Sequence, residues 1–155
     1  MNIRFANETD LPGVNRLRKQ VNDLHVAGRP ETFKPGFAPE LENHVYTVWN
    51  DPDQDILVAE EAGVILGFAI LHEIRRPENP FMFERHFLDI DEFGVDEAAR
   101  RQGIGRALID RAKAVAKERG FDRLELNMWE FNREALAFYE AAGFQTYRRY
   151  MEMYI

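Results

Sequence analysis

The junction that decides the fold reads Val95-Asp96-Glu97-Ala98-Ala99-Arg100-Arg101-Gln102-Gly103-Ile104-Gly105-Arg106-Ala107-Leu108. A strand is predicted to end at Val95 and a helix to begin near Gly103. Glycines at such a switch let backbone N–H groups approach a ligand without a Cβ in the way. The first turn of a helix adds unpaired donors and a partial positive charge, so an anion is favoured there.

The charged residues of this junction also favour an anionic ligand. Arg100, Arg101 and Arg106 supply guanidinium groups that suit phosphate oxygens, and a diphosphate is the natural ligand. The nucleotide loops with established patterns do not fit, because a Walker loop needs Gly-Lys-Ser/Thr and Gly105 is followed by Arg106. A dinucleotide fingerprint needs a third glycine where Leu108 stands. A tight turn with solvated arginines is the structural alternative, but the coincidence of glycines, arginines and a strand-helix switch favours the anion site.

Downstream of this helix, residues 121–128 alternate between apolar and polar side chains, as in a half-buried strand. A short helix follows, with Asn132 as its N-cap and Gly143 as its C-terminal cap. Tyr139 lies on the apolar face of that helix, where a hydroxyl needs a partner. Two interpretations stay open from the residues alone: a core tyrosine or a tyrosine that contacts a ligand.

Upstream, hydrophobic periodicity predicts the other elements. Thr9 or Asp10 is expected to cap the first helix. The predicted elements are a strand at 2–6, helices from about 10 to 28 and from 39 to 49, strands at 55–60, 63–73 and 85–95, a helix at 103–119, and a last strand from about Phe144 to Tyr150. This order, β-α-α-β-β-β-α-β-α-β, predicts an α/β fold with a mixed, mostly antiparallel sheet covered by helices on both faces.

Composition limits the class of protein. The chain has 155 residues, no cysteine and a net charge of −7, which predicts one domain over residues 1–155 without disulfides or cysteine-based metal sites. No metal site is expected from the four scattered histidines. No signal peptide or membrane span is visible, so a cytoplasmic protein is expected. The acidic surface disfavours nucleic acid and favours a cationic substrate such as an amine, although the charge is also typical of ordinary solubility.

Two motifs resemble a known family. Arg100 to Gly105 is similar to the Arg/Gln-x-x-Gly-x-Gly/Ala signature of the GNAT superfamily of acyl-coenzyme A-dependent N-acyltransferases, and residues 132–144 are similar to its second cofactor motif. One departure is Glu97, where the family often has proline. The resemblance implies a GNAT fold and an acetyl-CoA-dependent N-acetyltransferase. The cofactor contacts that it implies are Phe93, Gly94, Val95, Arg100, Arg101, Gln102, Gly103, Ile104, Gly105, Arg106, Asn132 and Tyr139.

Transfer of an acetyl group from a thioester to an amine needs a base, a donor for the oxyanion and an acid for the leaving thiolate. The resemblance places Tyr139 beside the thioester sulfur, which makes it the candidate acid. Asp91 and Glu92 are the base candidates, with Asp89 as a third, and water or no dedicated base as the alternative. Strict alternation would put Asp89 and Asp91 on the face of Phe93, whereas a bulge would bring in Glu92.

The acceptor is expected to enter from the side opposite the coenzyme, past aromatic residues and nearby acids that could hold a cation. The candidates are His25, Arg29, Phe33, Phe37, Trp129 and Phe131. A small amine, a polyamine, an aminoglycoside-like sugar and a protein amine all remain open as substrates. Two other functions also remain open, a non-catalytic acyl-CoA sensor and a nucleotide-binding protein. The apolar C-terminal strand favours a homodimer.

Overall fold

A computed structural model describes all residues from Met1 to Ile155 and contains five strands and four helices. The elements are β1 (Asn2–Phe5), α1 (Leu11–Gly28), α2 (Pro39–Trp49), β2 (Gln54–Glu61), β3 (Val64–Arg76), β4 (Arg85–Val95), α3 (Ile104–Glu118), β5 (Leu124–Leu126) and α4 (Arg133–Ala141). All four predicted helices form. Asp10, one of the two expected caps, occupies the N-cap position of α1, but its side chain makes no capping bond to that helix. It accepts instead from the Asn7 N–H, while the Asn7 side chain accepts from the Thr9 N–H.

The sheet confirms the predicted mixed, mostly antiparallel arrangement. Its strands lie in the order β1-β2-β3-β4-β5; the first three pairs are antiparallel, and β4 and β5 are parallel. A parallel pair needs a crossover, which α3 provides between β4 and β5. The junction between β4 and α3 therefore lies at the carboxyl end of β4.

Helices cover both faces of the sheet, as predicted. On one face, Leu11, Val14 and Leu17 of α1 and Val45 and Val48 of α2 form a buried cluster with β2 and β3. On the other face, α3 packs against the sheet through a second, larger cluster, and α4 adds Phe138 and Tyr139 at its margin. We call these two surfaces the α1 face and the α3 face. No helix of the chain combines the length and the apolar character that crossing a membrane requires.

A β-bulge interrupts β4 at Asp91. Glu92 pairs with Ile70 and Ile90 pairs with Leu71, so Asp91 is left without a partner on β3. An extra residue reverses the alternation of the residues after it. Leu88 and Ile90 before the bulge and Phe93 and Val95 after it consequently all lie on the α3 face. The strict alternation expected for β4 was therefore wrong, because it assumed an uninterrupted strand. The bulge named as the alternative does form, but it leaves Glu92 on the α1 face, opposite Phe93.

β5 is shorter than the strand predicted at 121–128, since only Leu124–Leu126 pair with Leu88–Ile90. The pairing stops at Ile90, one residue before the bulge, and from Asp91 to Val95 β4 has β3 on one side and no strand on the other. We call this opening the β4–β5 gap. The last strand, predicted at Phe144–Tyr150, does not form. No backbone hydrogen bond joins residues 145–155 to the sheet, because the short β5 offers no continuous edge to pair with.

Candidate active site

The predicted anion-binding loop has the backbone of a ligand cradle. Gly103 directly precedes α3 in the left-handed conformation, with φ of +82°, and Arg101 adopts a φ of +63°. No side chain caps α3, and the backbone N–H groups from Arg100 to Arg106 donate no hydrogen bond within the chain. A row of free donors at a helix N-terminus is the arrangement that binds phosphate groups.

The arginines of this loop differ in whether they form an ion pair within the chain. Arg100 and Arg101 are exposed and form no ion pair, whereas the Nε of Arg106 lies 3.2 Å from the Asp110 carboxylate one helical turn on. Two uncompensated guanidinium groups thus flank the free N–H groups, while the charge of Arg106 is already partly matched. The loop is positively charged on a protein whose net charge is −7.

Gly105 allows α4 to approach the start of α3. A Cβ at this position would lie 3.0 Å from the Phe138 ring and 3.6 Å from the Phe93 ring. The Phe93 ring in turn stacks on Phe138, with 5.8 Å between the ring centroids. The glycine therefore serves packing as well as backbone access, because it brings β4, α3 and α4 together at one point.

Tyr139 lies in this aromatic contact. Its ring meets Phe93 at 5.9 Å, Phe138 at 5.3 Å and Phe144 at 5.7 Å, all edge to face. The hydroxyl has no hydrogen-bond partner in the chain, and it borders a cleft rather than the closed core. Burial raises the pKa of Tyr139 to about 12, so the phenol holds its proton at neutral pH. An unpartnered, protonated hydroxyl at the wall of a cleft is suited to donate to a ligand atom.

Asn132 caps α4. Its Oδ1 accepts a hydrogen bond of 3.1 Å from the Ala135 N–H, which stabilises the first turn of the helix. The side-chain oxygen is therefore engaged within the chain, and the amide nitrogen is the group left for any ligand.

Glu92, one of the base candidates, faces the α1 face and binds a buried arginine. Both of its carboxylate oxygens lie 3.0–3.1 Å from the Nε of Arg18, whose own side chain is only 4% exposed. Arg18 also donates to Asn15 and to the Leu41 carbonyl, and its guanidinium lies over the Phe37 ring. Arg18 was not among the residues expected at the site. The signal that could have identified it is its spacing, because it falls on the apolar stripe of α1 between Val14 and Val21.

Asp96 is a second residue that was not expected to matter. It is buried at the end of β4, where it accepts 2.6 Å from Arg16 and 3.1 Å from the Ala98 N–H. These donors hold the pKa of Asp96 below its usual range. The carboxylate thereby fixes the start of the anion-binding loop to α1.

The other two acidic candidates are placed differently. Asp91 is exposed at the bulge. Asp89 lies before the bulge, opposite Glu125 of β5, and lines the cleft. Burial, together with the charges of Asp91 and Glu125, raises the pKa of Asp89 to about 6. Asp89 is therefore a carboxylate whose ionised form the fold disfavours.

An Asp89→Asn variant is expected to be more stable than the wild type above pH 6. The folded-state pKa is raised, so the folded protein binds more protons than the unfolded chain between about pH 4 and about pH 6, and ionisation in that window costs stability. Removing the charge should raise Tm near pH 8 and change it little near pH 4. Thermal melts across this range check the prediction, with the exposed Asp122→Asn as a control. A Tm difference that does not depend on pH would contradict it.

The residues expected on the acceptor side come together, with one exception. His25 stacks on Phe33 at 4.9 Å and meets Phe131 at 6.1 Å, and Phe33 meets Trp129 at 5.1 Å; we call these four the aromatic cluster. Arg29 lies over the Trp129 ring at 5.2 Å. Phe37 lies apart from this group and covers Arg18 instead.

A cleft of about 2060 Å³ lies beside β5 and α4. Its wall includes Asp89, Trp129, Phe131 and Tyr139, and the C-terminal segment borders it on the open side. No cluster of three or more histidine or carboxylate side chains has the spacing of a metal site. The site thus combines a loop with free backbone N–H groups and two unpaired arginines, an unpartnered phenol and a wide opening lined by aromatic and acidic groups.

Comparison with known proteins identifies the family to which this chain belongs. Residues 18–144 match the model of the Acetyltransferase (GNAT) family. A relative from Bacillus subtilis, the N-acetyltransferase YhfO, is 28% identical over 146 residues. The alignment covers 94% of this chain and 90% of that relative. The L-ornithine N5-acetyltransferase NATA1 of Arabidopsis thaliana is 28% identical over 123 residues, or 77% of this chain. The chain spans only 52% of the length of that enzyme.

Solved structures share the whole architecture. The BH1408 protein of Bacillus halodurans, solved as a tetramutant, superposes with a TM-score of 0.95 at 28% identity, and each chain covers 100% of the other. The aminoglycoside N-acetyltransferase AAC(6')-Iy, solved in complex with CoA, superposes with a TM-score of 0.74 at 18% identity over 99% of this chain and 98% of its own. At that identity the second likeness shows the fold alone.

Proposed function

Because the chain belongs to the GNAT acetyltransferase family, we propose that it is an acetyl-CoA-dependent N-acetyltransferase, formed by a single domain over residues 1–155, that acts on a primary amine. The observation that carries the proposal is the row of free N–H groups from Arg100 to Arg106 beside an open strand edge. The first feature suits the diphosphate of the coenzyme. The second suits its extended, amide-bearing arm.

In this proposal the coenzyme lies along the β4–β5 gap. The diphosphate binds the N–H groups around Gly103, with Arg100 and Arg101 pairing its charge. The arm runs beside Phe93 to Val95, where β4 lacks a neighbouring strand and can offer backbone groups in the manner of an added strand. The acetyl group then reaches the bulge, close to the Tyr139 phenol.

An Arg101→Gly variant is expected to weaken coenzyme A binding by about tenfold without lowering Tm. A hydrogen bond to a charged group contributes about 1.5 kcal/mol, which sets the loss of affinity. The φ of +63° at Arg101 is strained for a residue with a Cβ and free for glycine, so folding should not suffer. Calorimetric titration with coenzyme A and a thermal melt measure the two effects.

Arg106→Ala is the matched control for this experiment, because its guanidinium is paired with Asp110 in the absence of ligand. We expect a smaller loss of affinity in that variant. Equal effects of the two substitutions would contradict the assignment of Arg101 to the diphosphate.

The reaction proposed is direct attack of the amine on the thioester carbonyl. No covalent intermediate on the protein is required, and the chain has no cysteine to form one. In this proposal a backbone N–H on the free edge of β4 stabilises the oxyanion. Tyr139 supplies a proton or a hydrogen bond to the departing sulfur. Its raised pKa keeps the phenol protonated over the whole neutral range.

The acceptor is proposed to be a small cationic amine. The net charge of −7, the acidic residues Asp89 and Glu125 on the cleft wall and the aromatic cluster all favour a cation at this entrance. The name of one sequence relative, an ornithine acetyltransferase, supports an amine of this kind.

The test is a panel of amines with acetyl-CoA, in which release of the free thiol reports turnover. L-Ornithine, spermidine, neamine and a short peptide with a free N-terminus represent the open substrate classes. Coenzyme A affinity is measured in parallel. Tight binding without turnover of any amine would contradict the proposed reaction and favour an acyl-CoA sensor. Absence of binding would overturn the proposal as a whole.

A further inference from the structure

The half-buried imidazole of His25 near the β4–β5 gap has no role in the mechanism so far. We propose that His25 is the general base that takes a proton from the acceptor amine, an inference that rests on the proposed transfer reaction.

The path of α1 places His25 beside the gap. Arg18 binds Glu92 of β4, and Val21 lies 2.9 Å from the position that a Cβ of Gly94 would occupy. His25 follows Val21 by four residues, so it lies one turn further along the same face of the helix. There its ring packs between Phe33 and Phe131. Since Phe131 directly precedes the cap of α4, His25 reaches across from the β4 side to the α4 side of the gap.

His25 on α1 and Tyr139 on α4 lie on opposite sides of β4, and the bulge at Asp91 determines which residues of β4 face each of them. Glu92 points to the α1 face, where its charge acts on His25. Phe93 points to the α3 face, where its ring touches Tyr139. A thioester held in the gap between these neighbouring residues would have the imidazole on one side and the phenol on the other. Attack from the His25 side and departure of sulfur toward Tyr139 would give the base and the acid separate positions around the tetrahedral intermediate.

The carboxylates are less suited to the role. Glu92 is engaged through both oxygens by Arg18. Asp91 is exposed to solvent at the bulge. Asp89 lies where β4 and β5 are still paired, opposite Glu125 and outside the gap. Neither ring nitrogen of His25, by contrast, is hydrogen-bonded to the chain, so both are free to meet a substrate.

The charges around His25 suit a neutral imidazole. Glu92 of β4 is the acidic group that faces it, and that carboxylate is paired with Arg18. Arg29, one turn further along the chain, is paired with Glu31 and Glu152 and lies over Trp129. Phe33 and Phe131 contribute no charge. Burial is the dominant influence and lowers the pKa of His25 from its ordinary value. The ring is thus unprotonated at neutral pH and able to accept a proton.

The step balances as follows. An imidazole nitrogen takes one proton from the ammonium, which frees the nitrogen lone pair. That pair forms the N–C bond to the carbonyl carbon, and the C–S bond breaks as the tetrahedral oxyanion collapses. The sulfur leaves with its electron pair and takes the proton of the Tyr139 phenol. The extra proton on the new amide nitrogen returns to the phenolate, and the imidazolium gives its proton to water. The net products are one amide, one thiol and one proton.

His25→Phe is the variant that tests this inference, because it keeps an aromatic ring between Phe33 and Phe131. With the amine of the panel that the wild type acetylates best, we expect kcat near pH 7 to fall by about a hundredfold or more. Without this base, only the fraction of the bound amine that has already lost its proton to solvent can react. Its kcat should therefore rise about tenfold per pH unit below the amine pKa of about 10, whereas the wild-type kcat stays level over the same range.

Affinity for coenzyme A should be unchanged in His25→Phe, and the exposed His44→Phe should behave as the wild type. A variant with the wild-type pH profile, whether or not its kcat is lower, would overturn the assignment of His25 as the base. Failure of the wild type to acetylate any amine would instead overturn the proposed function, and this inference with it.

Discussion

A Gly103→Glu variant is expected to lose at least about a hundredfold in affinity for coenzyme A. The new carboxylate would stand among the free N–H groups at the start of α3, where the diphosphate is proposed to bind. Like charges placed together cost several kcal/mol, and about 1.4 kcal/mol corresponds to a factor of ten. Calorimetric titration of the variant with coenzyme A, at constant salt concentration, measures the loss.

The chain contains a closely matched control at the other end of α3. Gly120 has a φ of +79°, compared with +82° at Gly103, and at neither position would a Cβ meet another atom within 4 Å. Gly120→Glu therefore introduces the same charge and a similar backbone strain far from the loop. We expect it to lower Tm at least as much as Gly103→Glu does, because a negative charge is unfavourable at the C-terminal end of a helix, while leaving coenzyme A affinity intact. Loss of affinity in both variants would show that strain or net charge, rather than the loop, is responsible.

A Tyr139→Phe variant is expected to lower kcat by about a hundredfold with little change in coenzyme A affinity. The substitution keeps the edge-to-face contacts with Phe93, Phe138 and Phe144 and removes only the hydroxyl, which has no partner in the chain. Folding should therefore not suffer. Donation of a proton to a leaving group contributes about a hundredfold or more to rate. Steady-state kinetics with acetyl-CoA and the best amine of the panel give the result.

Tyr147→Phe is the corresponding control. Tyr147 lines the same cleft, and the pKa of its hydroxyl is also raised, but the largest cause there is a hydrogen bond to Glu125. We expect wild-type kcat from this variant. If Tyr139→Phe also turned over at the wild-type rate, Tyr139 would have no part in protonating the sulfur.

Local signals predicted most of the fold. The caps at Asn132, Gly120 and Gly143 and the periodicity of the helices fix elements whose hydrogen bonds lie within a few residues of one another. The strand-helix junction from Val95 to Gly103 was predictable for the same reason, since it depends on glycine and on residues close in sequence; its role in anion binding stays a prediction. These features depend on neighbours in sequence rather than on distant partners.

The errors concern strand pairing, which depends on distant partners. Nothing in the run Asp89 to Glu92 shows that Asp91 bulges, because the extra residue is defined only by its register against β3. The expected strand at Phe144–Tyr150 has a suitable composition, but a strand needs an edge to pair with, and β5 is too short to offer one. Arg18 and His25 carried a weaker signal, as polar residues on the apolar stripe of α1.

The bulge in β4 also has a consequence for how this region tolerates change. Exchanging one side chain for another near residue 91 leaves the two faces of the strand as they are. Removing or adding a single residue there would carry Glu92 and Phe93 each to the opposite side of the sheet, so that the carboxylate would meet the phenol and the ring would meet Arg18. Substitutions in this segment should therefore be far better tolerated during evolution than insertions or deletions, since the working arrangement is encoded in the length of the chain.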